Sequence, residues 1–292
     1  MTSFRIVTDG SCDLGGAYCK AHQITVIPLY FSVSSSVPEA YPDGRDFSAR
    51  DFYAMLRQGT PMHTSAPSIE DCKDRLRPLL AGGNDLLYTG LSAKLSGMFN
   101  VMRLAALELQ EEFPERRIEI LDSRCGSLGV GMLVEALADA REQGADLDAV
   151  CALFGKLREE MFVRFTVGDL MFLKRGGRIS GGAAMVGTML QIMPMLRTNA
   201  EGGIEPYSKV RGRKNALRTL ADELGNAADP ERPVMIGHCD APEDAAFVRD
   251  ILRRKYAIRN IRIADIGPVL GVHAGPEAVA GFCFARSAKL SA

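Results

Sequence analysis

The sequence has little of what staples a small domain or holds a metal. Its seven cysteines are Cys12, Cys19, Cys72, Cys125, Cys151, Cys239 and Cys283. None forms a C-x-x-C pair, and an odd count at irregular intervals makes a poor disulfide framework. The four histidines, His22, His63, His238 and His273, lack H-E-x-x-H or comparable metal-ligand spacing. His238-Cys239-Asp240 is a local cluster, but neighbours on a strand point to opposite faces. It reads as a strand end followed by a helix start, so no metal is expected.

An excess of charge is also missing: 35 Lys and Arg stand against 36 Asp and Glu. Binding through counterion release from nucleic acid usually needs a net basic surface, so that class is disfavoured. No apolar run reaches the 18 residues of a membrane span, and the most apolar segment, Ala183 to Leu196, is broken by Gln191 and Pro194. The opening MTSFRIVTDGSCDL lacks the basic region and apolar run of a signal peptide. A cytoplasmic protein is therefore expected. Common catalytic templates fail too. There is no G-x-x-x-x-G-K-[ST] loop and no G-x-G-x-x-G after a strand, Gly126, Gly129 and Gly131 standing in the wrong order. Neither G-x-S-x-G nor a Ser with Lys three residues later occurs.

What is present is an ordinary globular composition, 47% hydrophobic and 24% charged over 292 residues. That length is enough to bury roughly three-quarters of the unfolded surface and points to two domains or one large one. The first half alternates strands and helices: strands at 4–7, 24–33, 85–89 and 117–121, with helices at 48–56, 69–80, 96–113 and 127–143. Alternation at this spacing predicts a parallel sheet with crossover helices. Ligands on such sheets bind beyond the carboxyl ends of the strands, where the loops Asp9-Gly10-Ser11, Thr89 to Gly97 and Asp122-Ser123 should lie.

After a helix at 147–161 the rhythm changes. Strands are expected at 162–167, 192–197, 204–209, 233–238, 260–266, 269–273 and 279–285, with helices at 183–190, 213–226 and 242–256. Clustered strands with short turns predict an α+β domain with a mixed sheet. The fold class is thus α/β in two domains, 1–150 and 151–292.

The candidate chemistry lies in hydroxyl-rich and basic loops. Pro61 to Ser68 and Leu91 to Gly97 each precede a predicted helix, and hydroxyls with free amides at a helix N-terminus suit a carboxylate or phosphate. The plainer alternative is that Ser68 and Ser96 are helix caps. Lys174, Arg175 and Arg178 surround Gly176-Gly177, and Lys209, Arg211, Arg213 and Lys214 form a second basic cluster. These either meet an anion or an acidic partner or form solvated loops. Met185, Met189, Met193 and Met195 fall in one apolar stretch, as core or as the lining of an adaptable pocket. A nucleophilic Ser96 or Ser11 with His273 as base, giving a serine-dependent hydrolase or acyltransferase, is a further alternative. A third is an interaction domain whose basic loops dock an acidic protein or nucleic acid.

A series of segments carries a resemblance. They are Val7-Thr-Asp-Gly-Ser-Cys-Asp-Leu14, Ile27-Pro-Leu29, Thr64-Ser-Ala-Pro67, Leu95-Ser-Gly-Met-Phe-Asn100 and Asp122-Ser123. They continue with Gly168-Asp-Leu to Leu173-Lys-Arg-Gly-Gly-Arg-Ile-Ser180, Lys209-Val-Arg-Gly-Arg-Lys214 and Gly271-Val-His-Ala-Gly-Pro276. In this order, over nearly the whole length, the chain resembles the DegV family of bacterial fatty-acid-binding proteins.

The resemblance implies an N-terminal α/β domain with carboxylate-binding loops and a C-terminal α+β domain that completes the fatty-acid pocket. It implies a bound long-chain fatty acid, no other cofactor, and a non-catalytic role as the lipid-presenting subunit of a fatty acid kinase. A separate ATP-dependent subunit would phosphorylate the bound carboxylate, giving acyl-phosphate for phospholipid synthesis. By the same resemblance the carboxylate-binding residues are Thr64, Ser65, Ser96, Gly97, Asn100 and His273, while Arg175, Arg178 and Arg211 would meet the kinase subunit. The chain departs from the family pattern at Ala66, Met98 and Glu277, where Gln, Thr and Gly are usual.

Overall fold

A computed structural model describes residues 3–34, 36–41, 48–179 and 191–286. The expected helix at 183–190, with Met185 and Met189, and Ser180 of the basic motif lie outside these residues. The chain divides into two compact units: Met1–Asp46 with Met62–Arg158, and Phe47–Pro61 with Glu159–Ala292.

The first unit begins with β1 (Phe4–Asp9), a one-turn 3-10 helix at Gly10–Cys12, α1 (Gly16–Ala21), β2 (Ile24–Ile27), β3 (Leu29–Val33) and β4 (Glu39–Tyr41). After α2 (Ala49–Arg57), which belongs to the second unit, come β5 (Met62–Ser65), α3 (Ile69–Ala81), β6 (Asp85–Gly90) and α4 (Met98–Glu112). β7 (Ile118–Asp122), α5 (Leu128–Glu142) and α6 (Leu147–Glu160) complete it. Its main sheet is all parallel in the order β2-β1-β6-β7. Ile6 and Leu87 face each other in register on the two central strands and are both fully buried, as parallel strands covered on both faces require.

A strand running from Ile24 to Val33 is expected from its apolar continuity, but the structure divides it at Pro28. β2 pairs in parallel with β1, whereas β3 pairs antiparallel with β4 and β5 in a separate three-stranded sheet. Proline offers no N–H to a ladder, so the chain changes sheets there. The boundary expected at residue 150 falls inside α6, a continuous helix, and the first unit extends to Arg158.

The second unit continues with β8 (Met161–Thr166), α7 (Met171–Arg175), β9 (Ile192–Thr198), β10 (Ile204–Arg211), α8 (Arg213–Ala227) and β11 (Val234–His238). It ends with α9 (Pro242–Tyr256), β12 (Ile261–Asp265), α10 (Pro268–Ala274) and β13 (Val279–Phe284). The sheet order is β10-β9-β8-β13-β11-β12; only β11 and β12 run parallel, so it is mixed. Leu217, Leu220 and Leu224 of α8 and Val248 and Leu252 of α9 bury against Ile236, Val279 and Cys283. Residues 269–273, expected as a strand, form the body of α10. A short apolar run cannot be assigned by periodicity alone, and Pro268 at the first helical position pre-sets the helix.

Candidate functional site

The three loops expected beyond the parallel strands do come together: the loop after β7 holds the loop after β6, which in turn meets the loop after β1 on Asp9. This residue ends β1, caps the 3-10 turn and is fully buried. One carboxylate oxygen accepts from the Ser11 amide at 3.0 Å and from the Ser11 hydroxyl. The other accepts from the Tyr88 hydroxyl at 2.7 Å and from the Leu91 amide at 2.9 Å. Burial first, and then the charge of Asp9, push the Tyr88 phenol well above its usual range, which keeps it a donor. Gly90 is required by this approach: a Cβ there would stand 2.1 Å from the Asp9 carboxylate oxygen.

The loop after β7 secures the same segment from the other side. Ser123 donates its hydroxyl to the Gly90 carbonyl at 2.5 Å, and the Ser92 amide donates to the Cys125 carbonyl at 2.9 Å. Asp122 accepts from the amides of Ala93 at 3.2 Å and Arg124 at 3.0 Å. The segment from Gly90 is thereby tied to the ends of β1 and β7.

This fixed segment delivers Ser96. The Ser92 carbonyl accepts from the amides of Leu95 and Ser96, at 3.0 and 3.1 Å. Gly97 caps α4, and the Ser96 Oγ accepts from the Met98 amide at 3.1 Å. That bond uses the oxygen and leaves the hydroxyl proton without an acceptor among the described residues, on a half-buried side chain. Gly97 and Asn100 are exposed, and the Asn100 carbonyl oxygen is occupied by Arg103 at 3.1 and 3.3 Å.

Thr64 and Ser65 stand on β5, a strand where a loop is expected. Thr64 pairs with Phe31 and Ser65 with Tyr30 across to β3. Alternation leaves Thr64 half-buried beside the inward Met62 and turns Ser65 to solvent. Ser68 is a cap, as its plainer reading has it: with Asp71 it forms a reciprocal capping box at the start of α3. Its hydrogen bonds hold the Asp71 carboxyl below the usual range.

In the second unit, His273 occupies the last turn of α10, against the turn that follows α7. Burial, followed by the positive charge of Arg178, lowers its pKa to about 4, so the imidazole is neutral at pH 7. Arg178 donates to the Gly176 carbonyl, so it shares the surroundings of the histidine. Arg175 is exposed, with its guanidinium 4.9 Å over the Phe172 ring and a 3.3 Å bond to the Met171 carbonyl. Arg211 is exposed on a different element, opposite Ile192 at the end of β10.

Sequence reading named the loops but missed Tyr88, Gly90 and the Leu91 amide as parts of one arrangement. The only local signal was an Asp-Gly-Ser at the end of a strand. A groove of about 360 Å³ between α8 and α9, bordered by Arg218, Phe247 and Ile251, contains none of the expected residues. Among the described residues no cluster of three His, Cys, Asp or Glu could hold a metal ion. No helix among them is long and apolar enough to cross a membrane.

Residues 3–286 match a family described as uncharacterised protein, DegV family. A DegV domain-containing protein of Clostridium perfringens is 34% identical over 286 residues, covering 97% of both chains. Among solved structures, a fatty-acid-binding DegV family protein from Thermus thermophilus is 29% identical with a TM-score of 0.86, covering 98% of this chain and 100% of its own. One from Streptococcus agalactiae, also fatty acid binding, is 26% identical with the same TM-score and coverage.

Proposed function

The chain belongs to the DegV family, and on that basis we propose that it binds a long-chain fatty acid non-covalently and presents the carboxylate to a partner. The observation that carries this reading is the Ser96 hydroxyl, held by the Met98 amide with its proton uncommitted among the described residues. A lone carboxylate taken out of water needs several donors, or its desolvation costs several kcal/mol. In the first unit Thr64, Ser65, Ser96 and Gly97 are the head-group residues, with Asn100 downstream. In the second, the resemblance assigns His273, whose imidazole is neutral at pH 7. The tail supplies most of the affinity, about 0.8 kcal/mol per buried methylene before losses. The Thermus thermophilus protein, similar over its full length, binds fatty acid.

The partner is a separate ATP-dependent fatty acid kinase subunit, which makes the acyl-phosphate for phospholipid synthesis; this chain carries out no chemistry of its own. Arg175 and Arg211, both exposed, are the docking residues this reading favours. Arg178, assigned to docking by the resemblance, acts on His273 as well.

Two observations weigh against the hydrolase alternative. A base with a pKa of about 4 is poorly matched to neutral pH. Ser11 is fully buried and already donates its proton to Asp9. The test is calorimetry with palmitate and oleate, followed by hydroxylamine trapping with the kinase subunit and ATP. Saturable binding, and acyl hydroxamate only when protein, kinase subunit and ATP are all present, is the expected result. Hydrolysis of p-nitrophenyl esters that disappears in Ser96→Ala would overturn it.

A further inference from the structure

We propose that Asp9 is a positioning residue for the head-group serine: its carboxylate fixes the Leu91 to Gly97 segment, and through it the place of the Ser96 hydroxyl. The proposal rests on the fatty-acid reading above. Asp9 is fully buried, and among the described residues no Lys, Arg or His pairs with it. An uncompensated buried carboxylate is costly unless its oxygens are fully hydrogen-bonded.

Here they are, by four donors from two chain segments: the Ser11 amide and hydroxyl on one oxygen, the Tyr88 hydroxyl and Leu91 amide on the other. Only a carboxylate of this size accepts four bonds at once. An asparagine offers one oxygen and puts an NH₂ group opposite either the Ser11 or the Leu91 N–H, neither of which can turn to accept. The requirement at this position is therefore two loops held at one spacing. From Leu91 the connection is short. Ser92 receives the Ser96 amide on its carbonyl at 3.1 Å, and the Ser96 oxygen receives the Met98 amide at 3.1 Å. A shift at Leu91 moves the start of that turn and hence the direction of the Ser96 O–H.

The test is a double-mutant cycle on the full chain with palmitate as ligand, using Asp9→Asn, Ser96→Ala and the double variant. If Asp9 acts through Ser96, Asp9→Asn weakens palmitate at least tenfold and the double variant is within twofold of Ser96→Ala alone. Wild-type affinity in Asp9→Asn, or losses that simply multiply, would overturn the proposal. Amide hydrogen exchange of the ligand-free protein is the second arm. Ser96 and Met98 should exchange at least tenfold faster in Asp9→Asn, relative to amides of α3, and equal rates would overturn positioning whether or not palmitate binds. Failure of wild type to bind palmitate instead counts against the fatty-acid reading itself. Should Asp9→Asn not fold, an amide-to-ester replacement at Leu91 removes only the N–H and enters the same cycle and exchange measurement.

Discussion

A side chain on Gly176 would begin where the imidazole of His273 already is: a Cβ there would stand 2.3 Å from Nδ1 of the histidine. The glycine has ordinary helical backbone angles, φ −71° and ψ −12°. Contact with the ring, rather than backbone freedom, is thus what requires it. The Lys-Arg-Gly-Gly-Arg turn and the His-Ala-Gly-Pro segment, nearly 100 residues apart in sequence, form one packed pair.

Gly176→Ala should therefore push the imidazole aside without breaking the turn. Overpacking of this kind costs about 1–3 kcal/mol. Urea unfolding measures that loss, and the His273 ring resonances should move by NMR. Unchanged stability and unchanged resonances would contradict the packing described.

The pH dependence follows from the sign of the His273 shift. Its folded pKa of about 4 lies below the ordinary 6.5, so the folded protein resists a proton that the unfolded chain accepts. Stability is complete above pH 6.5 and falls as pH drops toward 4, by at most about 3 kcal/mol from this residue. His238, buried beside Asp265, shifts in the same direction and adds to the loss. Arg178→Gln should raise the His273 midpoint only in part, since burial is the larger cause. Titration of the ring protons by NMR reads both.

Ser96→Ala removes the proposed carboxylate donor and the acceptor for the Met98 amide. Fatty-acid affinity should fall by about 1–3 kcal/mol, roughly five- to 150-fold. The fold should survive with a loss near that of a missing helix cap, about 1 kcal/mol. Calorimetry with palmitate checks the first and thermal unfolding the second.

Gly90→Ala is predicted to be far more damaging than either. The new methyl would meet the Asp9 carboxylate at 2.1 Å and the Tyr88 hydroxyl at 2.5 Å, both on buried side chains. A loss of about 3 kcal/mol or more is expected, or failure to fold. Circular dichroism and denaturant unfolding test this directly.

Local patterns were the most legible part of the sequence. The Ser68–Asp71 capping box is written within four residues, and β6, α5, α8 and α9 fall within a residue or two of their expected places. Pro28 hid a change of sheet inside an apolar run, and Val269 to His273 gave no periodicity to separate a strand from a helix. β5 went unseen because Met62-His-Thr-Ser has too few apolar residues to mark a strand. The bond from Leu91 to Asp9 joins residues 82 apart. It depends on the parallel pairing of β1 with β6, which no local pattern states. Family resemblance, by contrast, pointed to Thr64, Ser96 and His273 without reference to any of these contacts.

The most direct measurement of the central claim is mass spectrometry of the organic extract from purified, denatured protein. The account predicts a near-stoichiometric fatty acid of about 14–18 carbons, whose burial at about 0.8 kcal/mol per methylene would hold it through purification. An extract without lipid, joined to no rise in melting temperature on adding palmitate or oleate, would contradict it.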